Sequence, residues 1–248
     1  MQVRVHPFGI LKESLGSDAF LVELAGETTV AELLARIGAR NPAVELRGIA
    51  VSVNAEYASP GRLLRNEDEV GLLPPVSGGG PPRPANPLDE SQDQPLVVTA
   101  LTREPIDTES RVATAKKGQD GAVVVFDGIV RNNSRGRQTL FLDYEAYEEM
   151  AAKQMDELAG EARSRFKVRQ VTIIHRLGRL NVGETSVLIV VASAHRAQAY
   201  EASRWVIDTL KKTVPIWKKE TFVDGTVWAD GEPFPAGLAV EGADAPSV

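Results

Sequence analysis

Residues 80–94 read GPPRPANPLDESQDQ and run into Pro95, so five prolines fall in a stretch with almost nothing apolar. Such a stretch cannot bury enough surface to offset the conformational entropy lost on ordering it. The 248-residue chain is therefore divided, and each side must build its own core. Both sides are long enough, because domains of about 60 to 150 residues bury roughly 60–70% of their unfolded surface. Extended at about 3.3 Å per residue, the divider spans on the order of 50 Å, enough to let the first part reach a neighbouring subunit. Just ahead of it stands PPVSGG, residues 74–79. By composition alone this is the start of a flexible hinge; the alternative is a working chain end followed by a tether.

On the N-terminal side, Gln2–Pro7 and Ala19–Leu24 alternate as strands do. Thr29–Arg40 carries Val30, Leu33, Leu34 and Ile37 on one helical face, with Thr28 or Thr29 placed to cap it. Strand patterns return at Gly48–Asn54 and Glu69–Leu73. The order strand, strand, helix, strand, strand predicts a compact α+β roll.

On the C-terminal side, Asp107 is placed to cap a short helix running to about Lys117. Strands are expected at Gly121–Val130 and Thr139–Tyr147, separated by the basic loop RNNSRGR. A long helix over Glu148–Phe166 has Met150, Met155, Leu158 and Ala162 as its apolar stripe. Strands at Val168–His175 and Thr185–Ala192 bracket LGRL and NVGE, read as turns. A second long helix spans Ala194–Lys212 with Ser193 as its expected cap, and IWKKETFVDGTVW reads as a hairpin turning at Asp224-Gly225. The remainder, residues 231–248, reads as a loose polar tail.

Composition narrows the chemistry. The chain has no cysteine, which removes disulfides, thiolate metal sites and thiolate nucleophiles. His6, His175 and His195 show no ligand spacing, so no metal is expected. Nucleotide-cradling glycine motifs are absent. A net charge of −6 argues against nucleic acid as a partner. The N-terminus MQVRVHPFGI has no continuous apolar run, so neither a secretory signal nor a membrane span is expected there, and a cytoplasmic location follows. Lysine, arginine, histidine or a chain terminus must carry any reaction.

Two sets of blocks then carry a resemblance. The first part, with its ending LLPPVSGG, resembles the small ubiquitin-like sulfur carrier of molybdopterin synthase. The blocks FDGIVRNNSRGR, YEAYEEMA, HRLGRLNVGE, SAHRAQAYEA and LKKTVPIWKKE are similar to the large catalytic subunit of that enzyme. The resemblance implies a β-grasp domain over residues 1–79, a proline-rich linker over 80–95, and a catalytic domain over 96–230. The last would be of the α/β hammerhead type, with an antiparallel sheet and two long helices. It implies a sulfurtransferase of molybdenum cofactor biosynthesis that converts cyclic pyranopterin monophosphate to the dithiolene of molybdopterin. No permanently bound cofactor is implied, because the sulfur arrives as a thiocarboxylate on the carrier's last glycine. An ATP-dependent adenylating enzyme would be the carrier's partner. A non-catalytic carrier with a docking scaffold is the competing reading.

The same resemblance carries over to individual residues. Gly78 and Gly79 would form the carrier tail, although Gly79 is followed here by Gly80 and its carbonyl is an amide until the chain is cut. Lys211 and Lys218 match the family's active-site lysines, with Lys212 and Lys219 adjacent to them; solvated surface is the plainer reading of each. Arg131, His195 and Arg196 match substrate-binding positions, and a helix start with histidine and arginine suits a phosphate. Arg135 and Arg137 read as loop surface, and His175 and Arg176 as structural. His195 and Lys211 stand sixteen residues apart on one helix, which separates them by roughly 24 Å. A small substrate reaches both only across a two-fold axis, so a homodimer with composite sites is expected.

Overall fold

The computed structural model describes residues 1–75 and 96–229, which fall into two compact units. The expectations for Gly78, Gly79, the linker and the tail fall on residues outside those described.

The first unit contains β1 (Gln2–Pro7), α1 (Ile10–Leu15), β2 (Phe20–Glu23), α2 (Val30–Arg40), β3 (Ala50–Val53), β4 (Glu56–Ala58) and β5 (Glu69–Leu73). The strands form one sheet in the order β2-β1-β5-β3-β4, with β1 and β5 parallel and the other pairs antiparallel. Helix α2 starts at Thr29, whose side chain accepts from the Glu32 amide while the Glu32 carboxylate accepts from the Thr29 amide. This reciprocal box satisfies two otherwise unpaired donors. The four apolar residues of its stripe are all buried, against Val3, Val5, Val51 and Leu72 of the sheet. A helix laid across a mixed sheet in this order is the β-grasp arrangement. The sequence pattern missed α1 and β4, six and three residues long, because elements that short carry too little periodicity to stand out. The last strand, β5, is central in the sheet and delivers the chain to Pro74.

The second unit contains β6 (Val97–Thr102), α3 (Thr108–Ala115), β7 (Ala122–Ile129), β8 (Asn133–Ser134), β9 (Arg137–Ala146), α4 (Glu148–Phe166), β10 (Gln170–Arg176), β11 (Gly178–Asn181), β12 (Thr185–Ser193), α5 (Arg196–Thr213), β13 (Ile216–Phe222) and β14 (Gly225–Trp228). One sheet runs β6-β10-β12-β7, antiparallel except for the parallel β6–β10 pair. The other runs β11-β9-β13-β14, with β8 added to β9. Helices α4 and α5 cover one face of the first sheet, where Met155, Leu158, Ala199 and Val206 meet Val171, Ile173, Val187 and Ile189. Helix α3 covers the opposite face through Ala115, against Ile174, Leu188 and Val190. The two faces follow directly from strand alternation.

Several expectations need correcting. LGRL is not a turn: Gly178–Asn181 is strand β11, paired with Phe141–Tyr144, and Leu180 is fully buried beside Leu142 and Val130. A partner strand distant in sequence supplies what the short pattern lacked. RNNSRGR is a tight hairpin in which Arg135 and Gly136 adopt φ of 50° and 77°, the left-handed pair a two-residue turn requires. Arg137 is not free loop surface, since its guanidinium forks onto Asp224 at 2.7 Å and lies 3.9 Å over the Phe222 ring. The final hairpin turns at Val223-Asp224, one residue earlier than expected, since Phe222 pairs with Gly225.

Candidate functional site

Arg131 is exposed and lies two residues beyond the end of β7, after buried Val130. The start of α5 holds His195 and Arg196. His195, not Ser193, is the capping position, and its side chain makes no capping bond to the helix's first amides. Ser193 is buried as the last residue of β12, and its hydroxyl oxygen accepts from the His195 amide at 3.4 Å instead. The first turn carries no acidic residue. Its amides, the partial positive charge of the helix end and the two basic side chains make a site suited to an anion. A cavity of about 510 Å³ opens there, lined by Gly121, Ala194, His195, Arg196, Ala197 and Gln198.

Gly121 sets the shape of that cavity. Its amide donates to the Ser193 carbonyl at 3.0 Å, and a Cβ placed on it would lie 2.3 Å from the Ala194 carbonyl oxygen. Because the obstacle is backbone, Gly121→Ala must push the Ser193–His195 segment away. We expect about a ten-fold weaker binding of an anion at this helix start, measured by titration with inorganic phosphate.

Lys211 occupies the last turn of α5, where a cation suits the helix dipole. Lys218 is half-buried in β13 and pairs with Glu220 at 2.9 Å; Glu220 itself is buried. The ladder places Lys218 opposite Tyr144 and Glu220 opposite Leu142, so these four side chains leave the face of the second sheet that packs on the core. Lys219 leaves the other face, with its ammonium 5.4 Å over the Trp228 ring. Lysines that neighbour each other in sequence are thus separated by the pleat.

His175 is buried on β10, on the same face as Val171 and Ile173. Its Nδ1 donates to the Arg176 carbonyl at 2.9 Å, and burial pushes its pKa down to about 4, with the nearby Lys211 charge acting in the same direction. The imidazole is therefore neutral near pH 7, with the proton on Nδ1. The Tyr144 ring meets it edge-on at 5.1 Å and 69°. Burial also pushes the Tyr144 hydroxyl upward, so it stays protonated. Lys211 and Lys218, seven residues apart across Pro215, thus border one Tyr144–His175 pair, the histidine buried and the tyrosine partly buried. Sequence reasoning did not single out Tyr144, although it opens the YEAYEEMA block of the resemblance. Among the described residues no group of His, Asp and Glu could hold a metal ion, and no helix is long and apolar enough to cross a membrane.

A β-grasp unit ahead of an α+β unit with a basic helix start and two lysines beside a tyrosine–histidine pair defines a carrier joined to a catalytic domain. A family model described as MoaE protein matches residues 101–213, and one described as the ThiS family matches residues 5–79. The chain is 41% identical over 135 residues to the molybdopterin synthase catalytic subunit of Pyrococcus abyssi, covering 54% of this chain and 91% of that protein. It is 44% identical over 128 residues to that of Nostoc sp., covering 51% and 78%. The crystal structure of molybdopterin synthase from Staphylococcus aureus superposes with a TM-score of 0.50 at 40% identity, covering 52% of this chain and 94% of that one. The chain belongs to the MoaE family, the catalytic subunits of molybdopterin synthase, and carries a ThiS-like carrier domain in the same polypeptide.

Proposed function

We propose that this chain is a molybdopterin synthase in which residues 1–79 are the sulfur carrier, 80–95 the linker, 96–230 the catalytic domain and 231–248 a tail. The observation that carries this reading is the convergence of Lys211 and Lys218 on the Tyr144–His175 pair, of which Tyr144, His175 and Lys211 lie inside the region that matches the MoaE family and Lys218 five residues beyond its end. The carrier presents a thiocarboxylate on Gly79. Cyclic pyranopterin monophosphate binds with its phosphate at the start of α5, against His195, Arg196 and the first helix amides; Arg131, which the β7–β12 register puts at the far end of the strand from that helix start, joins as a further cation from the other subunit. Lys211 assists sulfur addition, moving a proton as the thiocarboxylate sulfur bonds to the pterin and stabilising the oxyanion formed when water attacks the carrier acyl carbon, after which the C–S bond breaks, the sulfur stays on the pterin and Gly79 leaves as a carboxylate. Lys218, held by Glu220, positions the carrier terminus. The pleat favours Lys218 over Lys219 for this role, because only Lys218 shares the core-side face with Tyr144.

His195 and Lys211 stand at opposite ends of one continuous helix. At about 1.5 Å per residue the interval is roughly 24 Å, too long for one small substrate. The proposed enzyme is therefore a homodimer whose sites combine the α5 start of one subunit with the lysines of the other. Activation of the carrier terminus needs a separate ATP-dependent adenylating enzyme.

Gly79 can carry sulfur only as a chain end, so the bond to Gly80 must be cut. We expect the native protein from cells to yield an N-terminal product ending at Gly79, with sulfur in place of one carboxyl oxygen, by intact-mass analysis. A single uncut species with full activity would overturn the release step.

A further inference from the structure

The first unit has a free strand edge with a cavity beside it, and neither takes part in the reaction assigned to the lysines. Strand β2 ends the sheet order β2-β1-β5-β3-β4, so one of its sides has no partner strand. The Leu24 amide donates to the Met1 carbonyl at 2.8 Å and the Met1 amino group donates to the Leu24 carbonyl at 2.9 Å. In an antiparallel pair such exchanges recur at every second residue. The pairs Val3–Val22 and Val5–Phe20 therefore carry the bonds to β1, while Leu21 and Glu23 turn their N–H and C=O groups to the open side. Edges of this kind are blunted by a proline, a lysine, a bulge or shortness. Phe20–Glu23 has no proline, lysine or register shift, whereas β4, at the opposite edge, is only three residues long.

The cavity lies on the α2 side of this edge. It measures about 290 Å³ and is lined by buried Val22 and Ile37, half-buried Leu15 and Phe20, and exposed Arg36 and Arg40. Pockets for drug-sized molecules run from roughly 300 to 1,000 Å³, so this one suits protein side chains better. Phe20 and Val22 pack toward α2 while Leu21 is 55% exposed on the other face. A strand added to β2 would alternate in the same way, sending every second side chain to the cavity.

Charge selects among apolar strands. Arg36 and Arg40 stand one turn apart on α2, where like charges repel. Neither makes an ion pair or hydrogen bond among the described residues. Glu32, one turn before Arg36, is taken by Thr29, and Asp18, next to the cavity-lining Ser17, is paired with Lys12 at 3.0 Å. The helix dipole accounts for Arg40 in the last turn but not for Arg36 further in. Two uncompensated guanidiniums beside an apolar slot match carboxylates that flank apolar residues.

We propose that the β2 edge and the groove between β2 and α2 bind an extended, acidic segment of a partner protein, which adds a strand beside β2. Its backbone bonds to Leu21 and Glu23, its apolar side chains enter the cavity and its carboxylates meet Arg36 and Arg40. Strand β2 stands two places from β5, which runs out to Pro74, so the partner grips the carrier away from its working end.

The test uses the full chain and an acetylated, amidated peptide of sequence GDVIVEDEG. Calorimetric titration should give a Kd below about 1 mM. The double variant Arg36→Glu, Arg40→Glu should bind at least about ten-fold more weakly, with the melting temperature within a few degrees of wild type. The same peptide N-methylated at its apolar residues should not bind, since the ladder donors are gone. In wild-type protein followed by NMR, amide exchange at Leu21 and Glu23 should slow at least about ten-fold on saturation. Undiminished affinity in the charge-reversed variant, binding of the N-methylated peptide, or unchanged exchange at Leu21 and Glu23 would overturn the proposal. The exchange measurement decides without any variant having to fold. Leu21→Pro removes an outward donor and should leave self-association unchanged; its loss would assign the edge to a second copy of the chain and overturn the proposal.

Discussion

Lys211→Ala should lower molybdopterin formation by about 10²- to 10³-fold, the usual cost of removing one group that stabilises transition-state charge. The fold should survive, because Lys211 is exposed and exposed substitutions of this kind change stability by about 0.5 kcal/mol or less. Binding of the carrier should also persist, which separates an enzyme from a docking scaffold: a scaffold would be indifferent to the change. His195→Ala should reduce activity by weakening the phosphate site. Mixing the two variants tests the composite arrangement. Random exchange places half of the dimers in the mixed state, and one of the two sites in each is then intact. Activity should return to about a quarter of wild type after subunit exchange. No recovery, with exchange verified by mass, would place His195 and Lys211 in separate functions.

The second large effect concerns stability and a pair that no sequence pattern announced. Arg169 donates to both carboxylate oxygens of Asp120, at 2.7 and 2.5 Å, and also to the Ala115 carbonyl at the end of α3. The two side chains are 15% and 4% exposed, so this pair is nearly out of solvent. Removing one partner strands the other, and Arg169→Ala should cost about 3–5 kcal/mol in the second unit. Replacing both residues by apolar ones of similar volume should cost far less, because the desolvation penalty disappears with the charges. Denaturant unfolding of both variants checks this.

The pH dependence follows with its sign. The bonds from Arg169 hold the Asp120 carboxyl below its ordinary value of 3.8. The folded protein therefore binds this proton less readily than the unfolded chain, and the stabilisation is complete above about pH 4. It is lost as pH falls through the depressed value. Arg169→Ala should flatten the acid limb of the stability curve in that window while leaving the neutral region parallel.

What could be read from the residues alone was whatever depends on near neighbours in the chain. The long helix runs over Glu148–Phe166 as its periodicity predicts, and α2 begins at Thr29 because a threonine three residues before a glutamate closes a capping box by itself. Asp107 caps α3 for the same local reason, accepting from the Ser110 amide. The blocks of resemblance, the division of the chain and the candidate cations were likewise legible, since each is a matter of residue type and order.

Other features required chain segments distant in sequence to meet. Strand β11 exists because β9 pairs with it; four residues with one buried leucine could not declare a strand. Ser193 failed as a cap because pairing of β12 with β7 buries it as the end of a strand. The choice between Lys218 and Lys219 rests on which face of the pleat meets the core, a register that only the β9–β13 ladder sets. Tyr144, His175 and Lys211 come from β9, β10 and α5, and no spacing in the sequence relates them. The sequence by itself determined the longer elements, the two-part division and the kinds of charge available. Tertiary structure alone decided which of those charges share a face, because register and packing depend on pairing free energy summed over distant segments.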